Sequence, residues 1–179
     1  MSDTRLSVLK TYKLYVGGKF PRSESGRVYE VTTKTSAAGA AGKGKWLANA
    51  PLSSRKDARD AVVAARKAFG GWSGATAYNR GQVLYRVAEM LEGRRDQFTR
   101  EVADAEGLSK SKAAAVVDAT IDRWVWYAGW TDKIAQVVGG GNPVAGPFFN
   151  LSSPEPTGVV AIVAPRSRPS WVWCRCSPR

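Results

Sequence analysis

Histidine is absent from this sequence of 179 residues, and its two cysteines, Cys174 and Cys176, lie close together near the end. Without histidine, Ser-His-Asp and Cys-His catalysis, histidine-ligated zinc sites and a near-neutral histidine proton shuttle are excluded. Two closely spaced cysteines supply neither a disulfide framework nor the four ligands of a structural metal site. We therefore expect neither a metal site nor a histidine-activated nucleophile.

Long hydrophobic runs are also missing. The longest wholly apolar run is Val159–Pro165, far below the roughly 20 residues that a membrane-spanning helix needs. The opening residues Met1–Arg5 are polar, and no apolar run follows them. These features predict a soluble, cytoplasmic protein with no membrane partner.

Basic residues are in excess, with 27 Lys and Arg against 15 Asp and Glu and a net charge of +12. The charges alternate in sign along residues 55–60 and 94–101, a pattern typical of solvent-exposed helix faces. Trp124, Trp126, Tyr127 and Trp130 allow either a base-stacking platform or ordinary packing, of which packing is the commoner use. Nucleic-acid binding is therefore a less favoured alternative.

Residues 1–33 have the pattern of strands with a hairpin. Leu14 and Val16 precede Gly17-Gly18, a two-residue hairpin loop, and residues 27–31 indicate another strand. Residues 34–52 are predicted to be a loop and connector, because residues 34–45 are of low complexity.

Residues 53–138 predict a layer of helices. Ser54 and Asp57 have capping-box spacing, and the helix that follows is expected to end at Gly70-Gly71. A second helical pattern follows Thr76 and continues to Gly107, and residues 110–138 predict one long helix. The apolar positions of the first helix are Ala58, Ala61, Val62, Ala65 and Phe69.

The character of the sequence changes after residue 138. Residues 139–157 predict a linker containing a strand at 147–151, and residues 158–165 are apolar without alternation. Such a run is typical of a strand covered on both faces in a parallel sheet. Residues 166–179 form a basic tail with no helical pattern and no acidic residue.

Four segments, taken in order and spacing, resemble a known family: Tyr15–Phe20, Ser53–Phe69 followed by Trp72, Asn79–Leu91, and Pro156–Pro165. They are similar to the N-terminal hairpin, the first two helices, and the entry to the first strand of the nucleotide-binding sheet in the aldehyde dehydrogenase superfamily. The resemblance runs from about Lys13 to Pro165, with residues 34–45 as an insertion or a diverged loop. It implies an α/β fold with an incomplete Rossmann-type sheet, mostly helical over the length present.

The resemblance also implies NAD(P)-dependent oxidation of an aldehyde to a carboxylic acid. In the family, a cysteine thiolate attacks the aldehyde, hydride passes to the nicotinamide, and a Glu-activated water releases the acid. This chemistry requires a lowered thiol pKa, donors for the oxyanion and a carboxylate base. The implied cofactor is NAD or NADP, and the implied partners are an aldehyde and a second copy or a longer relative.

The sequence departs from the family pattern after the first strand. The family commonly continues with Pro-Trp-Asn, whose Asn helps to hold the oxyanion, whereas Pro165 is followed here by Arg166-Ser167. Cys174 and Cys176 follow too soon to match the family nucleophile. We therefore assign no catalytic residue, and only the backbone of Val163, Ala164 and Pro165 is expected to border the adenosine site.

The tail allows two interpretations, of which the first is favoured. A shifted reading frame after Pro165 would produce an abrupt basic segment of this composition, and suitable codons for residues 170–179 can be re-read as an apolar family-like segment. The alternative is a real basic tail. The coding DNA distinguishes them, because a slip requires the other frame to open into an aldehyde dehydrogenase sequence.

The sequence thus predicts the N-terminal portion of an aldehyde dehydrogenase, inactive as this chain alone and prone to association through uncovered apolar helix faces. A non-catalytic helical interaction module is the alternative, and a basic nucleic-acid binder is less favoured.

Overall fold

A computed structural model describes residues 10–33 and 44–163. Over these residues the chain is mostly helical, as the sequence predicts, with two small sheets. The strands are β1 (Lys10–Thr11), β2 (Val28–Thr32), β3 (Trp46–Pro51), β4 (Gly140–Asn142) and β5 (Asn150–Ser152). The helices are α1 (Arg55–Gly74), α2 (Ala77–Glu92), α3 (Arg95–Glu106), α4 (Lys110–Trp130) and α5 (Ile134–Val138).

The first sheet has the order β1-β3-β2, with β1 parallel and β2 antiparallel to β3. Its central strand β3 lies within residues 34–52, so the prediction of a loop and connector there is wrong for 46–51. The sequence Trp-Leu-Ala-Asn-Ala-Pro has no apolar–polar alternation and little β propensity. It forms a strand because backbone partners are available on both sides.

The predicted hairpin turn is present. Val16 and Lys19 form an antiparallel bridge around Gly17 and Gly18, whose φ angles are 60° and 78°. Two successive positive φ angles define the tight turn that suits the twist of a hairpin, and glycine adopts them without strain.

The start of α1 confirms the predicted capping box. The Ser54 hydroxyl accepts from the backbone N–H of Asp57 at 3.3 Å, and the Asp57 carboxylate accepts from the backbone N–H of Ser54 at 2.7 Å. The helix continues past Gly70-Gly71 to Gly74, so the predicted end is wrong by about one turn. A glycine inside a helix costs only about 1 kcal/mol of helix stability relative to alanine, so two glycines weaken the helix without ending it.

Helices α2, α3 and α4 pack together. The buried side chains of this bundle are small: Ala88, Thr99, Ala113, Val117 and Ala128. Small residues allow helices to approach one another closely, and Gly81 of α2 lies at such an approach. A Cβ added at Gly81 would lie 2.6 Å from Oγ1 of Thr131 at the end of α4.

Two predicted long helices are divided in the structure. The pattern from Thr76 to Gly107 breaks at Gly93 and Arg94, where the Gly93 N–H donates to the Glu89 carbonyl and closes α2. The end at Gly107 is confirmed, with the left-handed φ of 66° that favours glycine.

The predicted helix over 110–138 ends at Trp130 and resumes as α5. The Thr131 hydroxyl donates to the Ala128 carbonyl at 2.9 Å, and Lys133 Nζ donates to the Gly129 carbonyl at 2.5 Å. These side chains satisfy carbonyls that a continuing helix would have used, so a turn replaces the continuous helix.

Beyond α5 the described chain is almost entirely exposed. Within residues 10–33 and 44–163, strands β4 and β5 pair only with each other. The strand predicted at 147–151 begins at Asn150 instead. Residues 158–163 contain no strand, which corrects the predicted strand over 158–165 for its described part. A strand needs a neighbouring backbone to accept and donate hydrogen bonds, and the described residues offer none there.

Candidate functional site

Of the three residues predicted to border an adenosine site, only Val163 lies within the described part of the chain. Its side chain is 92% exposed. Ala164 and Pro165 lie outside the described residues. The predicted position of the adenosine site is therefore not tested by the described residues.

The described residues bring together no group of three or more His, Cys, Asp or Glu side chains that would hold a metal ion. Cys174 and Cys176 lie outside the described residues. None of the described helices has the length and apolar character to cross a bilayer.

An apolar groove of about 370 Å³ runs along the surface of α2 and α3. Its charged lining residues are Arg86, which pairs with Glu89 at 2.8 Å, and Arg94. Among the residues that the structure describes, none that lines this groove carries a carboxylate, thiol or hydroxyl. These residues can bind an apolar group but offer no nucleophile or base. The remaining lining residues are Val83, Val87, Met90, Leu91 and Phe98.

A second groove of about 520 Å³ lies between α2 and the end of α4, and its lining is more polar. The Gln82 amide donates to the Tyr78 hydroxyl at 2.9 Å, and Lys133 pairs with Asp132 at 3.1 Å. Arg86 and Glu89, which pair at 2.8 Å, line this groove as well. The groove therefore has hydrogen-bonding groups, but both of these ion pairs join exposed residues close together on one chain segment.

A connected polar cluster lies at the start of α1 and includes Glu24, Ser54, Lys56 and Asp57. Lys56 Nζ donates to Glu24 at 2.8 Å, and this hydrogen bond lowers the pKa of Glu24 and raises that of Lys56. The pKa of Asp57 is lowered chiefly because the Ser54 backbone N–H donates to its carboxylate. The Glu24 backbone N–H also donates to Asp57 at 3.0 Å. The cluster ties the turn at 23–26 to α1, which is a structural role.

Three aromatic side chains near the end of α4 contact one another. The Trp126 ring lies 4.9 Å from Tyr127 edge to face and 5.4 Å from Trp130, measured between ring centroids. Trp126 is nevertheless 56% exposed. The Trp126 ring thus contacts the other two rings, while more than half of Trp126 is accessible to solvent or to a partner.

Comparison with known proteins assigns the fold. The family model described as "Aldehyde dehydrogenase family" matches residues 30–176. The chain belongs to the aldehyde dehydrogenase family. It is 31% identical over 183 aligned residues to the mouse cytosolic 10-formyltetrahydrofolate dehydrogenase, a match covering 96% of this chain and 19% of that protein.

Solved structures of this family share the fold. The NAD-dependent aldehyde dehydrogenase from Sinorhizobium meliloti superposes with a TM-score of 0.66 at 25% identity, over 79% of this chain and 27% of that one. The salicylaldehyde dehydrogenase from Pseudomonas putida G7 gives 0.71 at 20% identity, over 82% and 28%. The resemblance stated from four short segments is confirmed, and the chain corresponds to an N-terminal portion of an aldehyde dehydrogenase.

The chain spans about a fifth of the length of the formyltetrahydrofolate dehydrogenases that it matches. The family match also extends past Pro165 to Cys176, into the segment for which a shifted frame is predicted. A slip near Pro165 does not by itself account for family similarity in residues 166–176, so the coding DNA is the decisive observation.

Sequence reasoning missed the close approach at Gly81. The signal was a glycine inside an otherwise regular helical pattern, because such a glycine costs about 1 kcal/mol relative to alanine and so points to a packing reason. Its importance depends on Thr131, fifty residues later, and that pairing is visible only in the folded chain.

Proposed function

We propose that this chain contributes the helical layer of the nucleotide-binding domain to an NAD(P)-dependent aldehyde dehydrogenase, which oxidises an aldehyde to a carboxylic acid. The observation that carries the proposal is the family match over residues 30–176. The S. meliloti relative, named as NAD-dependent, supports the choice of cofactor class. We also propose that the protein acts in the cytoplasm, as its cytosolic relative does.

The described residues do not by themselves form a dinucleotide site. Val163 stands 92% exposed, and residues 158–163 belong to no sheet whose edge could hold a dinucleotide. A family site of this kind needs the carboxyl ends of several parallel strands. We therefore assign no step of the reaction to the described side chains.

The test is a pair of measurements on the purified 179-residue chain. We expect no formation of NADH or NADPH with short aliphatic or aromatic aldehydes, and no heat of binding when NAD or NADP is titrated calorimetrically. A longer family member, such as the S. meliloti enzyme, serves as the positive control in both assays. Turnover above the no-protein rate, or saturable binding of either dinucleotide, would overturn the statement that the chain forms no complete site by itself.

A second candidate function is supported by the exposed apolar side chains of α1. No residue of α1 is buried, and Val62 is 45% exposed although it lies on the predicted apolar stripe. This surface fits a non-catalytic module that binds a longer family member, because exposed apolar helix faces are typical of interaction sites.

The test of this candidate is size-exclusion chromatography with a longer aldehyde dehydrogenase of the same source. Val62→Glu places a charge on the stripe, whereas Val63→Glu places the same charge about 100° around the helix, off the stripe. Docking through the stripe requires that V62E abolish the complex and V63E retain it. Equal behaviour of the two variants, or no complex with the unaltered chain, would refute it.

A further inference from the structure

We draw no further inference here: the strongest candidate, the apolar groove along α2 and α3 lined by Val83, Val87, Met90, Leu91 and Phe98 with Arg86 and Arg94, is an unpartnered helix face, and nothing in the structure shows what covers it.

Discussion

The α2–α4 bundle and helix α1 carry similar apolar patterns but differ in burial. In the bundle the pattern leads to burial of Ala113, Val117 and Ala128. In α1 the stripe residues Ala58 to Ala65 are exposed, and Phe69 is only half-buried. A 3.6-residue period therefore identifies the apolar face of a helix. Whether that face is buried depends on which other segments of the protein are present to pack on it.

The two regions are also held by different forces. The bundle buries small apolar side chains at close helix contacts, whereas α1 is tied to its neighbours by polar groups at its ends. Its start is joined to Glu24, and near its end Arg80 donates to the carbonyls of Ser73 and Ala75. Apolar burial should make the bundle the more protected region in hydrogen exchange, and α1 the less protected.

The largest effect is expected from a charge in the bundle. Ala113 is completely buried, so Ala113→Asp places an unpaired carboxylate among apolar side chains at a cost of about 3 to 5 kcal/mol. We expect loss of amide protection throughout α2, α3 and α4, measured by hydrogen exchange with mass spectrometry.

Ala119→Asp is the matched control, because Ala119 is exposed on the same helix. It should leave protection of the bundle nearly unchanged. If both variants keep the bundle protected, the packing described for Ala113 is wrong.

A glycine pair tests the close approach between α2 and α4. Gly81→Ala would place a methyl group 2.6 Å from Thr131 Oγ1, and the adjustment should destabilise the bundle by about 1 to 3 kcal/mol. Gly129→Ala meets open space on α4 and should stabilise that helix by about 0.5 to 1 kcal/mol. The measurement is the midpoint of urea unfolding followed by circular dichroism, and shifts of the same sign for both variants would contradict the geometry.

Local rules predicted much of this fold. The Ser54 cap, the Gly17-Gly18 turn and the Gly107 helix end each depend on residues within a few positions of one another, and each is present. The four family-like segments likewise gave the correct family.

The predictions that were wrong concern segments whose structure depends on partners distant in sequence. Strand β3 forms because β1 and β2 lie beside it, and its own residues give little sign of this. Residues 158–163 show the opposite case, with a strand-like sequence and no strand partner in the described chain. The same applies to the candidate dinucleotide site. Such a site is formed by the ends of several strands, so the pattern of one local segment cannot predict it.

Loss of the helix cap should affect the start of α1 and the turn at 23–26, because the Ser54 hydroxyl also donates to Glu24. Ser54→Ala removes the hydroxyl that accepts from the Asp57 N–H and should cost about 1 kcal/mol. We expect faster exchange in the first turns of α1 and unchanged exchange in α2 to α4. Ser54→Thr, which keeps a hydroxyl, is the control, and equal loss in both variants would show that the cap contributes little.

Acid should loosen the same end of α1. The folded pKa values of Asp57 and Glu24 are lowered, so their contribution to stability is present above their ordinary pKa values and is lost as pH falls through the lowered ones. Amide exchange of residues 54–58, corrected for its intrinsic pH dependence, should therefore accelerate relative to the bundle at acidic pH. Asp57→Asn should remove most of this difference. An unchanged pH response in that variant would assign the effect to another group.

The smallest loss of stability is expected when a surface charge pair between two helices of the bundle is removed. Arg95 of α3 contacts Asp118 of α4 through two hydrogen bonds of 2.5 and 2.6 Å, which raise the pKa of Arg95 and lower that of Asp118. Both side chains are over 40% exposed, so water and salt screen the attraction. Arg95→Met should lower the urea midpoint by less than Gly81→Ala does, and added salt should narrow its difference from the unaltered chain. A loss as large as that of Gly81→Ala, unaffected by salt, would mean that the pair holds α3 on α4 as firmly as the buried alanines do.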